Sequence, residues 1–297
     1  MNSPGDRTVF HFVDQILELD PGRHTLGVKH VTPGDTFVRP TAGGEPALLS
    51  CIIGEALGQL GAWNVMAAKD FSVRPVAGVV GEVVITGEAA VGDSILLDTR
   101  IDSVTDDAVF YHAIATVDGT EVLRLENTLG PLLPMEQFND PDELRERLAR
   151  IHRPGTPNEA PKPDRDPAVP FDMSFDEILS LESGKEATAV RQVSGREAFL
   201  ADHFPKKPVL PLSLLLESLL QFGQKLLVED GGARFVPTGA RKVKMTQFVE
   251  PGSSLVAKIR VVERSAENAL LKFRCEVDGG RVCVGEAKYS TGVRENR

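Results

Sequence analysis

The sequence predicts an α+β protein built as two tandem repeats, each a long central helix wrapped by an antiparallel sheet. Three observations carry this prediction: an internal duplication at constant offset, one long apolar helix in each half, and β-rich runs with hairpin turns after each helix.

The duplication comes first. Asp14, Ile16, Leu17 and Leu19 recur as Asp176, Ile178, Leu179 and Leu181, an offset of 162 residues. The same register pairs Gly22 with Gly184, Val28 with Val190, Phe37 with Phe199, Pro46 with Pro208, Glu55 with Glu217, Gln59 with Gln221 and Gly61 with Gly223. Further on the offset becomes 160, pairing Gly92 with Gly252 and Asp118-Gly119 with Asp278-Gly279. A register held over some forty positions excludes coincidence.

Each copy orders its elements alike. Strand-like alternation at 25–31 and 188–193 is followed by a loop and then by an apolar helix, over 46–66 and 211–228. Four strands follow, at 81–87, 94–104, 108–117 and 121–129, and again at 241–249, 254–262, 269–277 and 281–290. Asp118-Gly119 and Asp278-Gly279-Gly280 suit tight hairpins, because these residues accept positive φ. Two such units would pair through sheet edges into one continuous sheet, which removes open edge strands. Between the copies, 141–152 reads as a short amphipathic helix, with Pro141 at its start and Asp140 as its cap. Six prolines between 154 and 170 then forbid helix or central strand and make a stiff, extended tether. The predicted organisation is a first repeat over 1–152, a linker over 153–170 and a second repeat over 171–297.

Composition narrows the function. At 297 residues the chain exceeds one ordinary core and suits two domains of roughly 130–150 residues. Apolar and charged fractions of 41% and 26% are those of a globular protein, and a net charge of −10 disfavours nucleic acid as a partner. No apolar run is long enough for membrane insertion, and no basic-then-apolar leader opens the chain. Cys51, Cys275 and Cys283 are odd in number without CxxC spacing, which points to reduced thiols in a cytoplasmic setting rather than disulfides or zinc. No ligand cluster or glycine-rich phosphate loop implies a metal or redox cofactor.

The chemistry concentrates at the helices. Each carries one carboxylate, Glu55 or Glu217, in an otherwise apolar second turn. A buried carboxyl group tends to keep its proton, and a proton available near neutral pH is what general acid catalysis needs. In the second copy, Asp202-His203-Phe204-Pro205-Lys206-Lys207-Pro208-Val209-Leu210-Pro211 runs into the helix, so a Pro-framed loop delivers His203 close to it. The other histidines (His11, His24, His30, His112, His152) lack such a setting.

His203-Phe204-Pro205, Pro208-Val209-Leu210-Pro211, Glu217 fourteen residues after the histidine, and Gln221 four further on resemble the β-hydroxyacyl-acyl-carrier-protein dehydratases of type II fatty acid synthesis. The first copy resembles the same family through 12–19 and 28–32. The resemblance omits only the linker and the extreme termini, and it implies a tandem double hotdog.

In that family His of one subunit works with Glu on the helix of the other. The resemblance therefore implies one complete site per chain, His203 with Glu55, and an incomplete one in which Thr41 replaces the histidine opposite Glu217. It implies that His203 removes the C2 proton of a 3-hydroxyacyl thioester while Glu55 protonates the departing C3 hydroxyl, yielding the trans-2-enoyl product. Backbone N–H groups near Ser50 and Cys51, at the start of the first helix, would polarise the thioester oxygen. Leu212 and Ser50 stand where the family usually has glycine. Lys206-Lys207 replaces a glycine-containing pair and, with Arg241, Lys242 and Lys244, would suit an acidic carrier protein. Glu rather than Asp on the helix resembles the plain dehydratases, not the dehydratase-isomerases.

The implied partner is acyl carrier protein or acyl-CoA; the only prosthetic group is the phosphopantetheine of the substrate, and the pseudo-dimer either remains alone or associates further, as family dimers often do. Two alternatives stay open: a non-catalytic protein that binds acyl carrier protein or an active partner, and a hotdog thioesterase.

Overall fold

The computed structural model describes residues 10–40, 44–159, 171–228 and 234–291. In the first repeat the elements are β1 (Gln15–Asp20), β2 (His24–His30), β3 (Val38–Pro40), β4 (Pro46–Leu48), α1 (Ser50–Ala68), β5 (Val73–Pro75), β6 (Val79–Ile85), β7 (Ser94–Val104), β8 (Ala108–Val117), β9 (Thr120–Pro134) and α2 (Pro141–Ile151). In the second they are β10 (Glu177–Glu182), β11 (Glu186–Gln192), α3 (Leu212–Leu226), β12 (Val236–Met245), β13 (Ser254–Arg264), β14 (Asn268–Val277) and β15 (Gly280–Ser290).

The main sheet runs β1-β2-β7-β8-β9-β6-β12-β15-β14-β13-β11-β10. Its second half repeats the first in reverse, so the duplication appears as a two-fold about the β6–β12 seam. At the seam the strands are antiparallel, with Arg241 opposite Glu82 and Val243 opposite Val80. Lys288 of β15 also pairs with Glu82 across the join. The two helices lie against the inner face and touch each other. Their apolar residues, such as Ile52, Ile53, Leu57 and Leu60 on α1 and Leu214, Leu215 and Leu219 on α3, are buried in one common core. Sequence alternation along each strand supplies the opposing face, as Leu97, Ala113, Ala115, Leu255 and Ala257 show. Among the described residues, no helix is long and apolar enough to cross a membrane.

The differences from the expected elements are local. The first helix begins at Ser50, not 46, because Pro46–Leu48 pairs with Val38–Pro40 as a small antiparallel ribbon. The second helix ends at Leu226, and β12 ends at Met245 rather than 249. Asp140 caps α2 as expected, accepting hydrogen bonds from the N–H groups of Asp142 and Glu143. Beyond residue 159 the tether falls outside the described residues, as does Thr41.

The two rims of the sheet differ. At β1, Gln15, Ile16 and Leu17 are buried. The N–H of Arg153 donates to Ile16 O, and the Gln15 side chain bonds to Arg153 O, Thr156 O and Asn158 N. The equivalent β10 is exposed at all six residues, including Ile178, Leu179 and Leu181.

Gly239 shows why the seam is demanding. A Cβ there would stand 2.1 Å from Val83 O of the opposite repeat, and its φ of 153° is one that side chains avoid. Gly239→Ala is expected to cost about 1–3 kcal/mol in a chemical-denaturation experiment. Gly34→Ala, where the nearest atom is 3.8 Å away, should cost far less.

Candidate active site

Glu55 and Glu217 occupy the sixth residue of α1 and α3, and the two-fold brings each to the start of the other helix. Glu55 Oε1 accepts from Gln59 Nε2 at 3.0 Å, one turn along α1, and its Oε2 accepts from Ser213 Oγ of α3 at 2.8 Å. Glu217 repeats the pattern, accepting from Gln221 Nε2 at 3.0 Å and hydrogen-bonding the thiol of Cys51 on α1. Cys51 and Ser213 are themselves equivalent at the repeat offset.

His203 lies on the loop entering α3. Its Nδ1 is 3.2 Å from Val209 O. A carbonyl only accepts, so this contact places the proton on Nδ1 and leaves the Nε2 lone pair free to act as a base. The N–H of Val209 returns a bond to His203 O at 3.0 Å, closing the loop. Aromatic packing fixes the ring: Phe204 stacks on it at 4.1 Å, and Phe10 of the first repeat meets it edge-on at 5.2 Å. Phe138, also from the first repeat, packs on Phe204 at 5.2 Å and accepts from the Lys206 N–H. The His203 loop is therefore docked on the other repeat. There it feels the charge of Glu55, which pulls its pKa up, against burial, which is the larger effect and lowers it.

A cavity of about 100 Å³ lies between the helices and the sheet, with Glu55 in its lining. Glu55, Ser213 and Tyr111 give it a polar end, while Val83, Leu125 and Leu216 line it with hydrocarbon. Burial and then the Glu55 charge push the Tyr111 hydroxyl up, so it stays protonated as a hydrogen-bond donor.

The remaining expected residues are dispersed. Ser50 and Cys51 line the cavity, but the Cys51 side chain faces Glu217; the helix start that reaches Glu55 is that of α3. The two-fold is the reason, since it swaps helix ends between carboxylates. Of the basic residues, Arg241 and Lys242 share Glu286, at 2.6 and 3.5 Å, on the outward side of β12. Lys207 pairs with Glu250 at 3.3 Å, whereas Lys206 and Lys244 are exposed. A bulge in β12 between Arg241 and Lys244, with Lys242 at φ 53°, lets the adjacent Arg241 and Lys242 both reach Glu286, and much of the expected positive charge is paired internally.

Other residues enter from the first repeat. His11 Nε2 lies 3.9 Å from Asp202 Oδ1, and the Phe10 N–H donates to Asp202 Oδ2 at 3.0 Å. Gln59 ties down the same segment through Phe12 N and Phe10 O. Arg74 of β5 lays its guanidinium over Phe204 at 4.8 Å. His11 could have been flagged as a histidine whose repeat equivalent is Met173; Arg74 sits on a three-residue strand too short to show periodicity.

Comparison with known proteins bears on the family and on the fold. A FabA-like domain model matches residues 167–288, the second repeat. A 3-hydroxyacyl-[acyl-carrier-protein] dehydratase FabZ from Geobacillus is 32% identical over 130 residues, covering 43% of this chain and 89% of the relative. Among solved structures, the dehydratase domain of RzxB from Pseudomonas fluorescens superposes with a TM-score of 0.57 at 13% identity, covering 96% of this chain and 100% of that one. An acyl-ACP thioesterase from Bacteroides thetaiotaomicron reaches 0.50 at 11% identity, covering 89% and 98%. Those two likenesses define the class by fold: a double-hotdog protein. The sequence relationship goes further, and the chain belongs to the FabA/FabZ-like family.

Burial, followed by the charges of Arg147, Arg74 and His203, brings the His11 pKa down to about 2, and burial likewise lowers that of His203. Each imidazole takes up its proton at a lower pH when folded than when unfolded, where it does so near pH 6.5. Their stabilisation is therefore complete above pH 6.5 and lost as pH falls below it, by up to about 1.4 kcal/mol per pH unit each. The melting temperature should fall between pH 6.5 and 5, and His11→Gln should flatten that slope.

Proposed function

We propose that this protein removes water from a 3-hydroxyacyl thioester at one composite site per chain, with His203 as base and Glu55 as acid. The observation that carries the reading is the orientation of His203: Val209 O holds its Nδ1 proton, and the free Nε2 belongs to a ring packed between repeats beside Glu55.

The steps follow from these groups. The thioester carbonyl acidifies the C2 proton, which passes to His203 Nε2 as the C2–C3 double bond forms. The C3–O bond breaks, and Glu55 gives its proton to the departing oxygen, so that water leaves. The proton on His203 then returns to Glu55, which resets the site. Ser213 Oγ and Gln59 Nε2 orient the Glu55 carboxyl group. Ser213 brings the α3 N-terminus to the same place, so the open N–H groups of Leu212 and Ser213, rather than those of Ser50 and Cys51, are best set to receive the thioester oxygen. Leu212 in the family's usual glycine position keeps that N–H. The acyl group would arrive on the phosphopantetheine of a carrier protein or of CoA, and no metal or redox cofactor takes part.

The other half does not provide a second site on this reading. Glu217 faces Cys51, and Arg39 lies close enough for the Glu217 charge to act on it. Arg39 is committed to the carbonyl oxygens of Thr36, Val38 and Phe171. Neither residue is a base for C2.

Enoyl formation from 3-hydroxyacyl thioesters on carrier protein and on CoA tests the proposal. His203→Ala and Glu55→Gln should each reduce kcat by roughly 10²–10⁴-fold, while Glu217→Gln should remain within a few-fold of wild type. An essential Glu217 with a dispensable Glu55 would reverse the pairing. Release of free thiol without enoyl product would make the protein a thioesterase.

A further inference from the structure

Arg74 takes no part in the steps above, yet its position is costly. It is carried by β5, which pairs with β9 and places Arg74 opposite Leu133. From there the side chain reaches under the His203 loop. Its Nη1 lies 3.4 Å from Met66 Sδ, a weak acceptor, and its buried Nε has no hydrogen-bond partner among the described residues. A guanidinium whose Nε is buried without a partner is unfavourable unless something else offsets it. What it does touch is the face of Phe204, at 4.8 Å, and Phe204 in turn stacks on the His203 imidazole at 4.1 Å and 26°. Guanidinium, phenyl ring and imidazole thus form one connected series, which begins in the first repeat and ends at the base carried by the second.

We propose that Arg74 is a positioning residue for His203, acting through the Phe204 ring to hold the imidazole in the plane from which Nε2 meets C2 of the substrate. This role rests on the dehydratase reading. Cation–π contact with a desolvated ring adds an orienting attraction to the stacking of Phe204 on the imidazole. Charge acts in the same direction. Burial brings the Arg74 pKa down only to about 10, so the group is cationic at neutral pH, where it opposes protonation of His203. The other groups bearing on that imidazole are Glu55 of α1, which favours its protonation, and neighbouring His11, which Arg147 of α2 and Asp202 influence in turn. Arg74 thereby offsets Glu55, so that a carboxyl group and a base can stand together without the base being protonated at rest.

The test uses the full chain with Arg74→Met, Arg74→Lys and Phe204→Leu, read by NMR titration of the His203 imidazole, by the pH profile of kcat/KM and by thermal melting. Arg74→Met should raise the pH at which the imidazole titrates, move the acid limb of the profile the same way, and lower kcat about tenfold with little change in KM. Arg74→Lys keeps the charge without the flat face, so its titration should stay near wild type while kcat falls less than in Arg74→Met. Phe204→Leu, with Arg74 present, should lower kcat without moving the titration upward. A folded Arg74→Met protein with unchanged titration and unchanged kcat overturns the inference, as does one that loses melting temperature alone. If Arg74→Met does not fold, the Lys and Leu variants decide by the same criteria. The NMR arm needs no turnover, so a wild type that forms no enoyl product sinks the dehydratase reading without obscuring whether Arg74 sets the imidazole.

Discussion

The structure depends on the pairing of β6 with β12. That single antiparallel contact turns two repeats into one sheet and lays α1 and α3 side by side, each start against the other's second turn. A carboxylate on one helix is then satisfied by a side chain on the other, Ser213 for Glu55 and Cys51 for Glu217. Neither repeat alone could bury its glutamate at tolerable cost, because half of the partners come from across the seam. Gly239, where no Cβ fits, marks how closely the backbones must approach.

With such symmetry the two halves are free to diverge. The second retains the loop bearing His203, and the first supplies Glu55, Phe10, Phe138, His11 and Arg74 around it. The family model covers only the second repeat, although Glu55, the carboxylate whose charge acts on that histidine, lies outside the matched residues. The motif's spacing along the chain leads to Glu217, whereas the family's pairing of His and Glu across subunits and the packing of this chain both lead to Glu55. At the Glu217 end, the thiol of Cys51, whose pKa is raised by burial and then by the Glu217 charge, makes a weaker donor than the Ser213 hydroxyl.

Much of this was legible before any coordinates. The constant offset announced two copies, apolar periodicity located both helices within a few residues, and the Pro-framed loop singled out His203. Each of those signals is local or strictly repeated. What escaped notice depends on contacts between segments far apart in sequence. His11 looks ordinary until residues 10–12 are tied down by Gln59 and Asp202. Arg74 belongs to a strand of three residues held only by β9. The first helix was drawn too early because Pro46-Ala47-Leu48 is as apolar as the helix it precedes, and only its pairing with 38–40 makes it a strand. The ion pairs of the lysine and arginine residues were hidden for a related reason: proximity in sequence says nothing of Glu286 and Glu250 on neighbouring segments.

The unequal rims of the sheet bear on how copies of the molecule can meet. One rim is closed along residues 15–17 by the chain's own continuation, while the other presents a backbone edge unpaired among the described residues, flanked by Ile178, Leu179 and Leu181. A sheet with two open rims can add subunits without limit and grow into a filament. Here, growth by strand addition meets a cap at one end of every molecule. Two copies joined at their open rims would turn their capped ends outward, so strand addition of this kind favours a pair over a fibre.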